Sequence, residues 1–154
     1  MSDFNRKIAI VTGATGNLGS AIVQAFVEQG ASVALVDLNA ERLDAACAAL
    51  GDPARFKGFT ADLSSADDVT RLIADISAAF GRIDILAHTV GGYAAGQPVH
   101  EAGLDVLHRM MNLNVVPLYL MGGAVAKQMI AQGGGGKIVF VLAKRGLKGI
   151  KNKG

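Results

Sequence analysis

The apolar positions of the chain change period along its length. Ile8 to Val11 is an unbroken, largely β-branched run that stops at Thr12-Gly13. Beyond it Leu18, Ala21, Ile22, Ala25 and Phe26 recur at the spacing of a helix with one buried face. Gly30 closes that helix, and Ser32 to Asp37 reads as a second buried strand. Asn39 caps a second helix that carries Glu41 in its first turn and ends near Leu50-Gly51. A short strand, Arg55 to Ala61, follows Pro53. Val69, Leu72, Ile73, Ile76 and Phe80 then mark a third helix, with Ser64 and Asp67 in a capping-box pattern ahead of it. Ile83 to His88 is the fourth strand and Gly91 to Pro98 a loop. Gly103 to Gln132 is the longest helical stretch, with Leu107, Met110, Met111, Leu118 and Met121 on one apolar face and Leu113, Val116 and Leu120 on another. Gly133 to Gly136 ends it before a fifth strand, Lys137 to Leu142. Strands alternating with helices predict an α/β domain with a parallel sheet.

The first strand, its glycine turn and the following helix form a candidate ligand site. Gly13 permits a turn that a Cβ would obstruct, Gly16 lets a ligand approach the backbone, and Gly19 lets the helix pack close to the strand. Thr15, Asn17 and Leu18 lie between them, where the unpaired N–H groups and dipole of the helix's first turn suit a pyrophosphate. A tight turn without a ligand would show the same glycines. The strand before, the helix after and an acid at Asp37, followed by Leu38, favour a dinucleotide. Asp37 would accept hydrogen bonds from the adenosine ribose and repel a 2′-phosphate, and no Arg or Lys follows until Arg42, so NAD is expected over NADP.

Thr12-Gly13-Ala14-Thr15-Gly16-Asn17-Leu18-Gly19 resembles the cofactor motif of short-chain dehydrogenases/reductases, with Gly-x-x-Gly-x-x-Gly spacing in place of the commoner Gly-x-x-x-Gly-x-Gly. Extended members and some ordinary ones share this spacing. With that resemblance the alternation of elements predicts a Rossmann-type doubly wound sheet, order 3-2-1-4-5, stopping before the usual sixth and seventh strands. The resemblance implies that Asp62, with Leu63, borders the adenine; as a residue type, Asp62 would equally make a turn or cap. The family's Asn-Asn-Ala-Gly after the fourth strand is replaced by His88-Thr89-Val90-Gly91, in which Gly91 alone matches. His88 is then expected near the cofactor ribose, as a hydrogen-bonded structural histidine rather than a proton shuttle. Asn114 aligns with the family's helix Asn that holds a water in the proton relay, and it would also satisfy a helix disturbed by Pro117, whose missing N–H frees the carbonyl of Leu113.

Against activity, Leu142-Ala143 stands where the family has Ser-Ser, and neither Tyr93 nor Tyr119 has a Lys four residues on. The family's Tyr-x-x-x-Lys would fall just after Gly154. The expected function is therefore the NAD(H)-binding portion of such an enzyme, inactive as this chain. One alternative is a non-catalytic NAD-binding sensor or partner subunit. Another, suggested by the glycine spacing and His88, is an extended-family epimerase or reductase.

Composition narrows the remaining classes. The 154 residues, 51% hydrophobic and 18% charged, suit one globular domain over 1–143 and a tail over 144–154. That tail holds five basic groups and no acid, so the net charge of +2 hides a body with 10 basic against 13 acidic groups. With no Trp and 5% aromatic residues, a nucleic-acid function is not expected. No stretch is long enough to span a bilayer, no apolar signal core lies in 1–7, and a cytoplasmic protein is expected. The single Cys47 lies at helical spacing with Leu43, Ala46 and Leu50, as a packing residue, and His88, His100 and His108 lack metal-ligand spacing, so no metal is expected. A helix over 103–132 apolar on two sides points to self-association through it.

Overall fold

The computed structural model describes residues 4–93, 98 and 100–142. Its elements, in chain order, are β1 (Ile8–Thr12), α1 (Asn17–Glu28), β2 (Ser32–Asp37), α2 (Ala40–Leu50), β3 (Phe56–Thr60), α3 (Ala66–Phe80), β4 (Ile85–His88), α4 (Leu104–Asn114), α5 (Val116–Gln132) and β5 (Lys137–Phe140). The five strands form one parallel sheet in the order β3-β2-β1-β4-β5, as the sequence predicts. Strands β3 to β5 are one or two residues shorter at their ends than the apolar runs suggest.

The central strand β1 is buried along its whole length, which its apolar run allows because helices cover both faces of the sheet. Side chains alternate across it. Ile10, Val36 and Leu86 face a core made with Val69, Leu72 and Ile76 of α3 and Met121, Val125 and Met129 of α5. Val11, Val33 and Leu35 face the other core, made with Val23 of α1 and Leu43 of α2. Cys47 packs at the margin of that second core, where burial raises its thiol pKa above the ordinary value.

Three local expectations need correction. The single helix over 103–132 is two helices meeting at Val115, which caps the end of α4 and the start of α5. Pro117 sits in the first turn of α5, where a missing N–H leaves no helical bond unmade, and the α4 ladder stops short of it. The apolar faces also differ. Pro117, Met121, Val125 and Met129 bury one stripe of α5, whereas α4 has no buried residue and Leu107 and Met111 are exposed. Finally, α3 is capped by Ser65, whose side chain accepts from the Asp68 amide, rather than by Ser64, which Asp62 engages. Among the described residues no helix is long and apolar enough to cross a membrane. Residues 144–154, the basic tail, and Ala143 lie outside the described residues, as does much of the 91–98 loop.

Candidate functional site

Parallel register brings three loops to one edge of the sheet. Thr12 stands opposite Val36 of β2 and His88 of β4, so the chain leaves β1, β2 and β4 on the same side, at Gly13, Asp37-Leu38 and Thr89. The loop after β3, Ala61 to Ser64, emerges beside them. A cavity of about 800 Å³ lies along these carboxyl ends. That volume is in the range of small-molecule sites. It crosses four adjacent strands, a span of roughly 14 Å from strand spacing alone, and so suits an elongated ligand.

Gly13, Thr15, Gly16, Asn17, Leu18, Gly19, Asp37, Leu38, Asp62, Leu63 and Gly91 all line this cavity. The glycine loop is shaped by what its neighbours exclude. Gly13 adopts φ +65°, a left-handed conformation costly for other residues. A Cβ at Gly19 would overlap the carbonyl of Gly13, so the start of α1 can lie this close to β1 only with glycine there. The Ala14 amide donates to Val36 O (3.1 Å) and the Gly16 amide to Gly13 O (3.0 Å). Helix α1 starts at Gly16 with no side-chain cap, and its first internal bond is Ser20 N to Gly16 O. The amides of Asn17, Leu18 and Gly19 therefore have no acceptor within the helix, and all three residues face the cavity.

Asp37 is fixed at the end of β2. Its Oδ2 accepts from Thr15 N (3.0 Å) and Thr15 Oγ1 (2.7 Å), and its Oδ1 from Leu38 N (2.8 Å). Partial burial pushes its pKa up, but these bonds from Thr15, Leu38 and Asn39 outweigh burial and hold it below the ordinary carboxylate value. Asp62 accepts from Ser64 N (2.9 Å) and Ser64 Oγ (2.7 Å), which lowers its pKa and closes the turn after β3. Asp62 thus makes the turn its residue type allows while also lining the cavity.

His88, expected near the cofactor ribose, is not among the residues that line the cavity. It is 1% exposed, points into the sheet with Thr12 as its partner (Thr12 Oγ1 to His88 Nδ1, 2.9 Å), and meets the Phe140 ring edge-on at 5.8 Å between centroids. The reason is its strand position: it shares a face with the buried Leu86. Thr89 completes a brace between β1 and β4, its amide donating to Thr12 Oγ1 (3.2 Å) and its hydroxyl to Thr12 O (2.7 Å). The Thr12 hydroxyl accepts from the Thr89 amide and also gives its proton to His88 Nδ1 or accepts one from it, according to the ring tautomer. Nε2 is buried with no hydrogen-bond partner. Burial lowers the His88 pKa, so the ring is neutral near pH 7.

Asn114 lies behind the cavity wall. Its Oδ1 accepts from Gly92 N (2.9 Å) and its Nδ2 donates to Met110 O (3.0 Å), which ties the loop after β4 to α4. The carbonyl it satisfies belongs to Met110, not to Leu113 as Pro117 suggested. Arg42 of α2 and Arg109, Asn112 and Leu113 of α4 also line the cavity. Arg109 was missed because nothing in an amphipathic pattern distinguishes a cavity-facing Arg from a solvated one.

A family model described as short chain dehydrogenase matches residues 7–154. D-threitol dehydrogenase of Mycolicibacterium smegmatis is 40% identical over 130 residues, covering 84% of this chain and 50% of that protein. 2,5-Dichloro-2,5-cyclohexadiene-1,4-diol dehydrogenase of Sphingobium indicum is 34% identical over 154 residues, 100% of this chain and 61% of that protein. A crystal structure of NAD+-bound xylitol dehydrogenase superposes with TM-score 0.90 at 33% identity, covering 99% of this chain and 58% of that one. The chain thus spans between half and two thirds of the length of these three relatives.

Proposed function

The chain belongs to the short-chain dehydrogenase/reductase family, and we propose that its cavity binds NAD(H) for an oxidoreductase acting on an alcohol or carbonyl, a polyhydroxy alcohol by analogy with the named relatives. One observation carries this reading: the three residues whose amides have no partner within α1 line the same cavity as Asp37, whose carboxylate is fixed. When bound, the nicotinamide supplies the redox chemistry by accepting or giving a hydride. The chain's own residues bind and orient. Asn17, Leu18 and Gly19 offer amides to the pyrophosphate. Asp37 accepts from the adenosine ribose, and Asp62 and Leu63 border the adenine. Asn114 enters as a positioning residue, since its side chain is spent on Gly92 and Met110.

Proton transfer needs an acid or base within hydrogen-bond reach of the substrate oxygen. These 154 residues contain no Tyr followed four places on by Lys, and the Ala143 side chain cannot donate a hydrogen bond to an oxyanion. Losing such a donor costs on the order of 10²-fold in rate where one is used. The 154-residue chain is therefore proposed to bind NAD(H) without turning over alcohols at a rate near that of complete relatives. NADH formation with xylitol, threitol and glycerol, followed beside NADH binding by fluorescence, tests both halves. Binding without turnover is expected. Robust turnover would overturn the inactive reading, and absence of binding would overturn the cofactor assignment.

Self-association is proposed through α4 and α5, by a different face from the one the sequence suggests. Leu104, Leu107, Met111, Val115 and Tyr119 recur every three or four residues across both helices and are each more than 40% exposed. A stripe of this kind is unusual on a monomer.

A further inference from the structure

The Asp37 carboxylate receives four hydrogen bonds, from Thr15, Leu38 and Asn39, and two of them come from one residue. Thr15 gives both its amide (3.0 Å) and its hydroxyl (2.7 Å) to Oδ2, while Leu38 N holds Oδ1 (2.8 Å). The amide of Thr15 is fixed by the course of the glycine loop, but the hydroxyl is a matter of residue choice. Arg42 lines the same cavity, and its backbone is tied to the Asn39 cap (2.9 Å). Among the described residues no ion pair joins Arg42 to Asp37, although only four residues separate them in sequence. The cavity therefore holds an acid that suits a ribose 2′-hydroxyl and a base that suits a 2′-phosphate. Which one the ligand meets depends on where the carboxylate stays.

On the reading that this cavity takes a nicotinamide dinucleotide, we propose that Thr15 is a specificity-determining residue whose hydroxyl holds Asp37 away from Arg42 and so sets the preference for the unphosphorylated cofactor. Without the hydroxyl, Asp37 loses its shortest bond, and only the backbone amides of Thr15, Leu38 and Asn39 then oppose its rotation towards the guanidinium. A carboxylate paired with Arg42 neither accepts from the ribose nor opposes a 2′-phosphate with an uncompensated charge. Thr15 acts through Asp37, so its effect must vanish when the carboxylate is gone.

The test is calorimetric titration of the full chain with NAD+ and with NADP+, for the wild type, Thr15→Ser, Thr15→Val, Asp37→Ala and Thr15→Val/Asp37→Ala. Thermal melts without nucleotide check that each variant folds, and Thr15→Ala serves if Thr15→Val does not. The wild type should favour NAD+ by about tenfold or more, the worth of one hydrogen bond to a charged group. Thr15→Ser should keep that ratio to within about twofold, Thr15→Val should cut it about fivefold or more, and the double variant should match Asp37→Ala. A Thr15→Val protein with the wild-type ratio, or a double variant in which the two effects add, would overturn the proposal while leaving the cofactor reading intact. A folded wild type that binds neither nucleotide would overturn the cofactor reading and this inference together.

Discussion

Replacing Thr12 with Val keeps the shape of a fully buried β1 side chain and removes its hydroxyl. Two groups then lose their partner: His88 Nδ1, at 2.9 Å, and the Thr89 amide, at 3.2 Å. A buried polar group left unsatisfied costs about 1–3 kcal/mol. His88 is 1% exposed and its other nitrogen is already unpaired, so its share is about 2 kcal/mol. The Thr89 amide is only partly buried and adds about 1 kcal/mol. The sum, about 3 kcal/mol, corresponds to a fall in Tm of about 6–12 °C for a chain of this size. Urea unfolding followed by circular dichroism measures the loss directly. Because swapping both partners for apolar groups removes the unpaired nitrogens, Thr12→Val/His88→Leu should lose less than the two single variants added together. A Thr12→Val protein within about 0.5 kcal/mol of wild type, or strict additivity in the double variant, would refute the brace.

Stability should fall as pH is lowered below about 6.5, because the folded His88 has the lower pKa and the unfolded chain takes up the proton first. That part of the loss ends once pH is below the folded pKa, and it should be missing from the stability–pH profile of His88→Leu. The lowered pKa values of Asp37 and Asp62 stabilise the fold above their unfolded value of 3.8, and this contribution is lost only as pH falls further towards their folded values, so the two effects separate in the profile. Gly19→Ala should cost about 2 kcal/mol or more and weaken cofactor binding, because the new methyl meets the Gly13 carbonyl, and denaturant midpoints with a parallel NADH titration will show it. Met111→Lys should shift the size distribution towards monomer in light scattering, whereas an unchanged distribution would remove the exposed stripe as the interface.

What could be read from the sequence was what is local or periodic. The strand, glycine turn and helix of β1–α1 and the acid at Asp37 follow from runs, spacings and special residues within a few tens of positions, and the sheet order from the family resemblance those residues carry. The break at Val115 was hidden because apolar residues keep their helical spacing through it, and the Pro that marks it is equally at home in a helix's first turn. Ser64 and Ser65 are the same residue type, and the competing bond from Ser64 to Asp62 decided which one capped α3. The Thr12–His88–Thr89 brace joins residues 76 and 77 positions apart. It is set by strand register, which no single segment encodes. The only trace of it in the sequence was two polar residues at the ends of apolar strands.

The central claim is that the amides at the start of α1 hold the phosphates of a nicotinamide dinucleotide beside Asp37. Amide chemical shifts of the 15N-labelled chain, recorded while NAD+ is added, test it most directly. The account predicts saturable shifts at Asn17, Leu18 and Gly19, with Thr15 and Leu38 moving on the same binding curve and Asp37→Ala weakening all of them together. Unmoved amides at 17–19 would contradict it, as would shifts gathered instead at a smaller cavity lined by Met129, Ile130 and Gly133 to Gly136 at the far end of α5.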